Sequence, residues 1–316
     1  MSYTGPGFDP PQPRRPRRGP LTVALVALVP SALLGWAVYA AVGGPGGDEG
    51  AGSAATSPSS PSASASASSR ASSPAPSAGS ADEKPSASAA AGGPLRGKVV
   101  VIDPGHNPEN FKHTAEINRQ VDVGTHRKEC DTTGTSTDDG YAEAAFTLDV
   151  AHRMRALLEK QGATVRLTQD GDRPFGPCVD ERARIGNKAK ADAVVSVHAD
   201  GSGTGNRGFH VILPGAVHAG AADTRAIVGP SEDLGTRVAG NFVRVTGSAP
   251  SNYVGGGTGL VTRKDLGGLN LSTVPKVFIE CGNMRDSKDA ALLTSGAWRQ
   301  KAAQGISDGI VSFLRG

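Results

Sequence analysis

Two histidines follow β-branched runs at corresponding places, His106 in VVVIDPGH and His198 in VVSVHAD. Imidazoles at the ends of neighbouring strands can converge on one point even when 92 positions separate them in sequence. A carboxylate, Glu143, opens a helical pattern that starts at the same edge of the expected sheet. Two His and one carboxylate with a fourth position left open form the donor set of a catalytic zinc site. His106, Glu143 and His198 are therefore expected to hold one zinc ion per chain. A single His after a strand is more often a loop or core residue, so the set carries the argument. Glu280 ends a later β-rich run, VPKVFIECG. Placed beside the metal, it would act as general base toward an attacking water. An ion pair between Glu280 and Arg263 is the competing structural reading.

These residues meet only if strands and helices alternate. Lys98–Asp103, Ala163–Thr168, Ala193–Val197, Phe209–Leu213 and Lys276–Glu280 read as strands from their β-branched content. Helical patterns cover Tyr141–Gln161, Val179–Ala191, Asp233–Val245 and Ala297–Leu314. The first of them has Phe146, Val150, Met154, Leu157 and Leu158 on one face and Gly162 where a C-terminal cap belongs. The order predicts an α/β domain with a mostly parallel central sheet and helices on both faces. In such a sheet the working residues stand at the C-terminal edge of the strands, and the zinc site is expected there.

Ahead of this domain, the chain changes character twice. Residues 21–42 form a 22-residue run without a charge, preceded by Arg14, Arg15, Arg17 and Arg18. Its length suits a membrane anchor, and the arginines place residues 1–20 in the cytoplasm. A cleaved signal peptide is the alternative, and both readings export the remainder, to the cell membrane or to the wall. Residues 43–94 are expected to be a disordered linker. Between 51 and 90 there are 15 Ser, 13 Ala and 5 Pro, too little apolar surface to offset ordering entropy. The domain is then residues 95–316. Over the whole chain, 33 Lys+Arg and 30 Asp+Glu give a net charge of only +3, which argues against a nucleic-acid partner. Cys130 and Cys178 precede the first two helices at one sheet edge, and in an exported domain they are expected to form a disulfide. Cys281 alternates away from Glu280 and reads as a buried hydrophobe.

The stretches VVIDPGH, ERARIGNKAKADAVVSVHAD, GFHVIL and VPKVFIECGNMRDSKDAALL, with the helix-borne Glu143, resemble in order and spacing the zinc-dependent N-acetylmuramoyl-L-alanine amidases of the amidase 3 type. The resemblance spans residues 98–316. It implies a phosphorylase/hydrolase-like α/β fold. It also implies hydrolysis of the amide between N-acetylmuramic acid and L-Ala in peptidoglycan, with His106, Glu143 and His198 on zinc and Glu280 as acid/base. A non-catalytic peptidoglycan-binding module and a stem-peptide peptidase are the other readings. Residues 107–140 depart from the family's short loop and carry Glu109, His113, Glu116, His126 and Glu129, each a rival to Glu143 as ligand. The remaining His113, His126, His152, His210 and His218 are expected at the surface, and GGGTG at 255–259 at a flexible cleft edge.

Overall fold

The computed structural model describes residues 93–316. The basic N-terminus, the apolar run 21–42 and nearly all of the expected linker lie outside the described residues. Among the described residues no helix is long and apolar enough to cross a membrane.

The strands are β1 (Val99–Pro104), β2 (Gln120–Asp122), β3 (Arg127–Glu129), β4 (Thr164–Leu167), β5 (Ala193–Asp200), β6 (His210–Pro214), β7 (His218–Ala219), β8 (Ala222–Asp223), β9 (Leu260–Arg263) and β10 (Lys276–Asn283). The helices are α1 (Thr114–Ile117), α2 (Glu143–Lys160), α3 (Val179–Lys188), α4 (Val228–Thr246), α5 (Gly267–Asn270), α6 (Ser287–Leu293) and α7 (Gly296–Arg315). Six strands form one sheet in the order β4-β1-β5-β10-β6-β9. Its only antiparallel neighbours are β10 and β6, so the sheet is mostly parallel, as the alternation of elements predicts.

Alternation along the strands divides the sheet by chemistry. Val100, Ile102, Val195, Val197, Val277 and Ile279 join the main core with Phe146, Val150 and Met154 of α2, Leu234 and Phe242 of α4, and Ile306 and Ile310 of α7. The opposite face carries a smaller apolar cluster near the starts of β1 and β5, where Val101 and Val194 meet Ile185 of α3. The same face presents Lys276 at the start of β10 and, farther along the strands, Asp103, Ser196, His198, Phe278 and Glu280. The four fully buried large side chains of α2, Phe146, Val150, Met154 and Leu158, recur at helical spacing. Burial of each contributes roughly 1.5–3 kcal/mol, so this face anchors the helix that carries Glu143.

Several elements differ from the expected ones, three of them instructively. Helix α4 starts at Val228 rather than Asp233 because Gly229 and Pro230 fall in its first turn, where Pro is tolerated since the first N–H groups have no intrahelical acceptor. Strand β9 follows directly on the GGGTG segment. There Gly255, Gly256, Gly257 and Gly259 all have positive φ, so the segment turns the chain into β9 rather than edging the cleft. Helix α6 is started by Asp286, whose side chain accepts from Lys288 N and Asp289 N. Gly162, at φ +91, follows the end of α2 in the left-handed conformation expected of a helix stop.

Candidate metal centre

His106 lies two residues beyond β1 with φ at 62°, a conformation that costs a non-glycine residue about 1–3 kcal/mol. The turn is held by its surroundings. Gly105 leaves no room for a side chain, since a Cβ there would fall 2.3 Å from the His198 ring. Thr147 of α2 donates to the Gly105 carbonyl at 2.7 Å, so the helix carrying Glu143 is tied to the turn carrying His106. Glu143 is the first residue of α2, and His198 points from β5 toward both.

The three side chains meet. Glu143 Oε1 stands 3.2 Å from His106 Nε2 and 3.0 Å from His198 Nδ1, and the imidazole rings lie edge to face at 5.2 Å. One potential ligand atom from each residue falls within 4.8 Å of the others. His198 stacks on Phe278 of β10, with ring centroids 5.1 Å apart and planes 10° from parallel. Two residues on, Glu280 pairs in register with His198. All four expected residues therefore share one cleft of about 240 Å³, also lined by Asp200, Lys128 and Arg263.

The long segment 107–140, which departs from the family pattern, closes over this cluster. Cys130 and Cys178 are joined by a disulfide, as expected, anchoring the segment to the start of α3. Beyond Cys130, Thr132 O lies 3.1 Å from His106 Nδ1, and Thr135 N donates to Glu143 Oε2 at 3.0 Å. Gly134, at φ +74, lets the chain pass. A Cβ there would come within 2.8 Å of both Glu143 Oε2 and the His106 ring.

None of the rival carboxylates joins the cluster. Glu109 pairs with Lys112, Glu116 with His113, and Glu129 on β3 lines the cleft without reaching the three ligand atoms. Arg263 is engaged by Asp265, so it is not the ion-pair partner of Glu280. Cys281 is buried in the main core, as expected. His210 is a correction: it is buried, not at the surface, because it lies on β6 opposite Glu280 with its ring edge against Tyr253. His152 is half-buried and His218 exposed, and they pair with Asp170 and Asp223.

Electrostatics separate the two acids of the cleft. Burial opposes ionisation of Glu143, but His106 and His198 outweigh it and hold the carboxyl well below its usual range. Burial also opposes charge on His106, yet Glu143 and Asp131 raise its pKa to about 10. Glu280 is pushed well above the carboxylate range by burial and by the negative charges of Glu143 and Asp200. Its Oε2 is buried and unpaired. Two outward-reaching imidazole nitrogens, a shared carboxylate oxygen and an unpaired acid beside them suit a divalent cation, which such a donor set binds through nitrogen and oxygen.

Sequence reasoning missed the residues behind this cluster. Arg182, noted only as part of a motif, is buried and bonds Asp103 Oδ1 and Asp131 Oδ2, each at 2.9 Å. Lys276 is also buried and reaches Asp103 Oδ2 at 2.9 Å. A charged residue inside a β-branched run, as Asp103 and Lys276 both are, was the available signal, because such charges are seldom buried unless paired.

Comparison with known proteins agrees with this geometry. The amidase 3 family, described as N-acetylmuramoyl-L-alanine amidase, matches residues 100–312. N-acetylmuramoyl-L-alanine amidase Rv3717 of Mycobacterium tuberculosis is 41% identical over 222 residues, covering 70% of this chain and 88% of the relative. The crystal structure of Ami1 from Mycobacterium smegmatis, an N-acetylmuramyl-L-alanine amidase, superposes with a TM-score of 0.64 at 41% identity, over 70% of this chain and 98% of that one. Ami1 from Mycobacterium abscessus gives 0.63 at 40% identity, over 70% and 100%. With its mostly parallel sheet and with His106, Glu143, His198 and Glu280 gathered at the C-terminal edge, the chain belongs to the amidase 3 family of N-acetylmuramoyl-L-alanine amidases.

Proposed function

We propose that the enzyme cuts the amide between the lactyl group of N-acetylmuramic acid and L-Ala with zinc held by His106, Glu143 and His198, and with Glu280 as acid/base. The observation that carries this reading is the approach of three ligand atoms to within 4.8 Å beside an unpaired buried carboxyl. Zinc, when bound, supplies a Lewis acid that polarises the scissile carbonyl and acidifies an attacking water. Glu280 accepts the proton that this water gives up and returns it to the departing amine of L-Ala. Phe278 keeps the His198 ring in its plane, and the 131–135 segment shields Glu143. Digestion of purified cell wall tests the reading. New amino termini should begin at L-Ala, with free muramic lactyl groups; termini within the stem peptide alone would favour a peptidase, and no new termini a binding module.

The same proposal places the catalytic domain outside the cytoplasm, held near the wall by residues 21–42 and the Ser/Ala/Pro linker. The arginines before an uncharged 22-residue run support it, and so does a disulfide, which persists in oxidising compartments. Membrane fractionation of the full chain distinguishes a retained anchor from a released, cleaved form.

A further inference from the structure

Behind the proposed ligands lies a set of bonds that the mechanism leaves unused. His106 Nδ1 faces three acceptors: Thr132 O at 3.1 Å, Thr132 Oγ1 at 3.2 Å and Asp131 Oδ1 at 3.4 Å. Oδ1 of Asp131 also accepts from Thr132 N at 2.8 Å, so this side chain shapes the peptide that meets the ring. His198 Nε2 lies 3.2 Å from Ser196 Oγ. That hydroxyl has one proton, and it is directed to Asp103, with Oδ2 at 2.9 Å. With that proton engaged by Asp103, the Ser196 oxygen is open to accept from His198 Nε2–H. One guanidinium closes both chains, since Arg182 Nη1 holds Asp103 and Nη2 holds Asp131.

We infer that Asp131 and Ser196, both fixed through Arg182, are positioning residues that set which nitrogen each histidine offers to the metal. The inference rests on the metal reading above. With a metal in place, these acceptors keep the His106 proton on Nδ1 and the His198 proton on Nε2, leaving His106 Nε2 and His198 Nδ1 for the ion. Those are the two nitrogens that face Glu143 Oε1. The histidines thus bind in opposite tautomers. The long segment 107–140 gains a role here, because it supplies Asp131 and is fastened beside it by the Cys130–Cys178 bond. A neutral imidazole whose far nitrogen donates to a fixed acceptor is better oriented as a ligand.

The test uses the full chain and zinc alone. Zinc affinity is measured by chelator competition for the unaltered protein, Asp131→Asn and Ser196→Ala, with melting temperature on the same preparations. Each variant should bind zinc roughly 10–100-fold more weakly. Folded variants with unchanged zinc affinity overturn the inference, whatever their melting temperatures, because a merely structural role would shift stability alone. Imidazole ¹⁵N spectra of the unaltered zinc-loaded chain decide the matter even where a variant fails to fold. His106 protonated on Nδ1 and His198 on Nε2 is the expected pattern, and any other overturns the inference. An unaltered chain that binds no zinc removes the metal reading itself.

Discussion

Glu280 and His198 are register partners across the parallel β5–β10 ladder, on the same face of the sheet. The ring of His198 lies flat on Phe278, one pleat earlier on the strand that bears Glu280. The proposed acid/base and a proposed ligand are thus held at a separation set by backbone hydrogen bonds rather than by loops.

Replacing Glu280 by Gln keeps size and hydrogen bonding but removes proton transfer. Turnover of soluble muropeptide should fall by roughly 10²–10⁴-fold. Zinc content and melting temperature, read on the same preparation, should stay near those of the unaltered chain. Wild-type turnover in a stable, zinc-loaded variant would eliminate the proposed mechanism.

His198→Ala and Glu143→Ala should each abolish stoichiometric zinc and activity, whereas Glu129→Ala, which alters a carboxylate at the rim of the cleft, should leave zinc content unchanged. Metal analysis after gel filtration checks this. Full zinc content in Glu143→Ala would return the ligand search to the 107–140 segment.

The metal-free chain should show a stability maximum in mildly acidic solution. His106 is raised from 6.5 to about 10 in the fold, so its contribution is complete below pH 6.5 and is lost as pH climbs toward 10. Glu143 is depressed below 4.5, so its contribution is present above pH 4.5 and is lost as pH falls. Thermal melts in chelator should therefore peak between about pH 4.5 and 6.5, and His106→Asn should flatten the alkaline limb. Zinc affinity should move the other way, weakening in acid as the ligands take up protons.

Removing the Cys130–Cys178 bond by double Ser substitution frees a 48-residue separation. The chain-entropy estimate is about 4 kcal/mol, or roughly 8–16 °C in melting temperature for a domain of this size. Thermal unfolding in zinc and in chelator measures it. The loss should be larger with zinc present, since the segment adjoining Cys130 touches His106 and Glu143.

Gly134→Ala adds one methyl group against Glu143 Oε2 and the His106 ring at a backbone conformation that L side chains rarely adopt. Zinc binding should weaken while α2 and the main core stay intact. Circular dichroism with a zinc titration separates the two effects.

The sheet and the four principal residues were legible because their signals are local. His106 and His198 each close a β-branched run, Glu143 opens an amphipathic helix, and Glu280 ends a strand. Strand β9 was hidden by its four-residue length and the glycines before it. The burial of His210 was hidden because the face on which a short strand's residue falls depends on its partner, here β10. The ligand-orienting contacts of Asp131 could not be read from spacing, since they arise where an irregular segment folds back over the cleft.

The division of the sheet into an apolar and a polar face makes β10 sensitive to parity. A slip of one residue would exchange Glu280 with Cys281, sending a carboxyl into the main core and a thiol into the cleft. The strand's end is pinned against this. The two N–H groups of Asn283 Nδ2 are shared among the carbonyls of Ser202, Gly203 and Asn206, and its backbone N–H donates to Asp289 Oδ2. These bonds at a residue three positions past the acid act as a detent. Removing its side-chain bonds by Asn283→Ala would blur the alignment of Glu280 with His198 without altering any group that takes part in the chemistry.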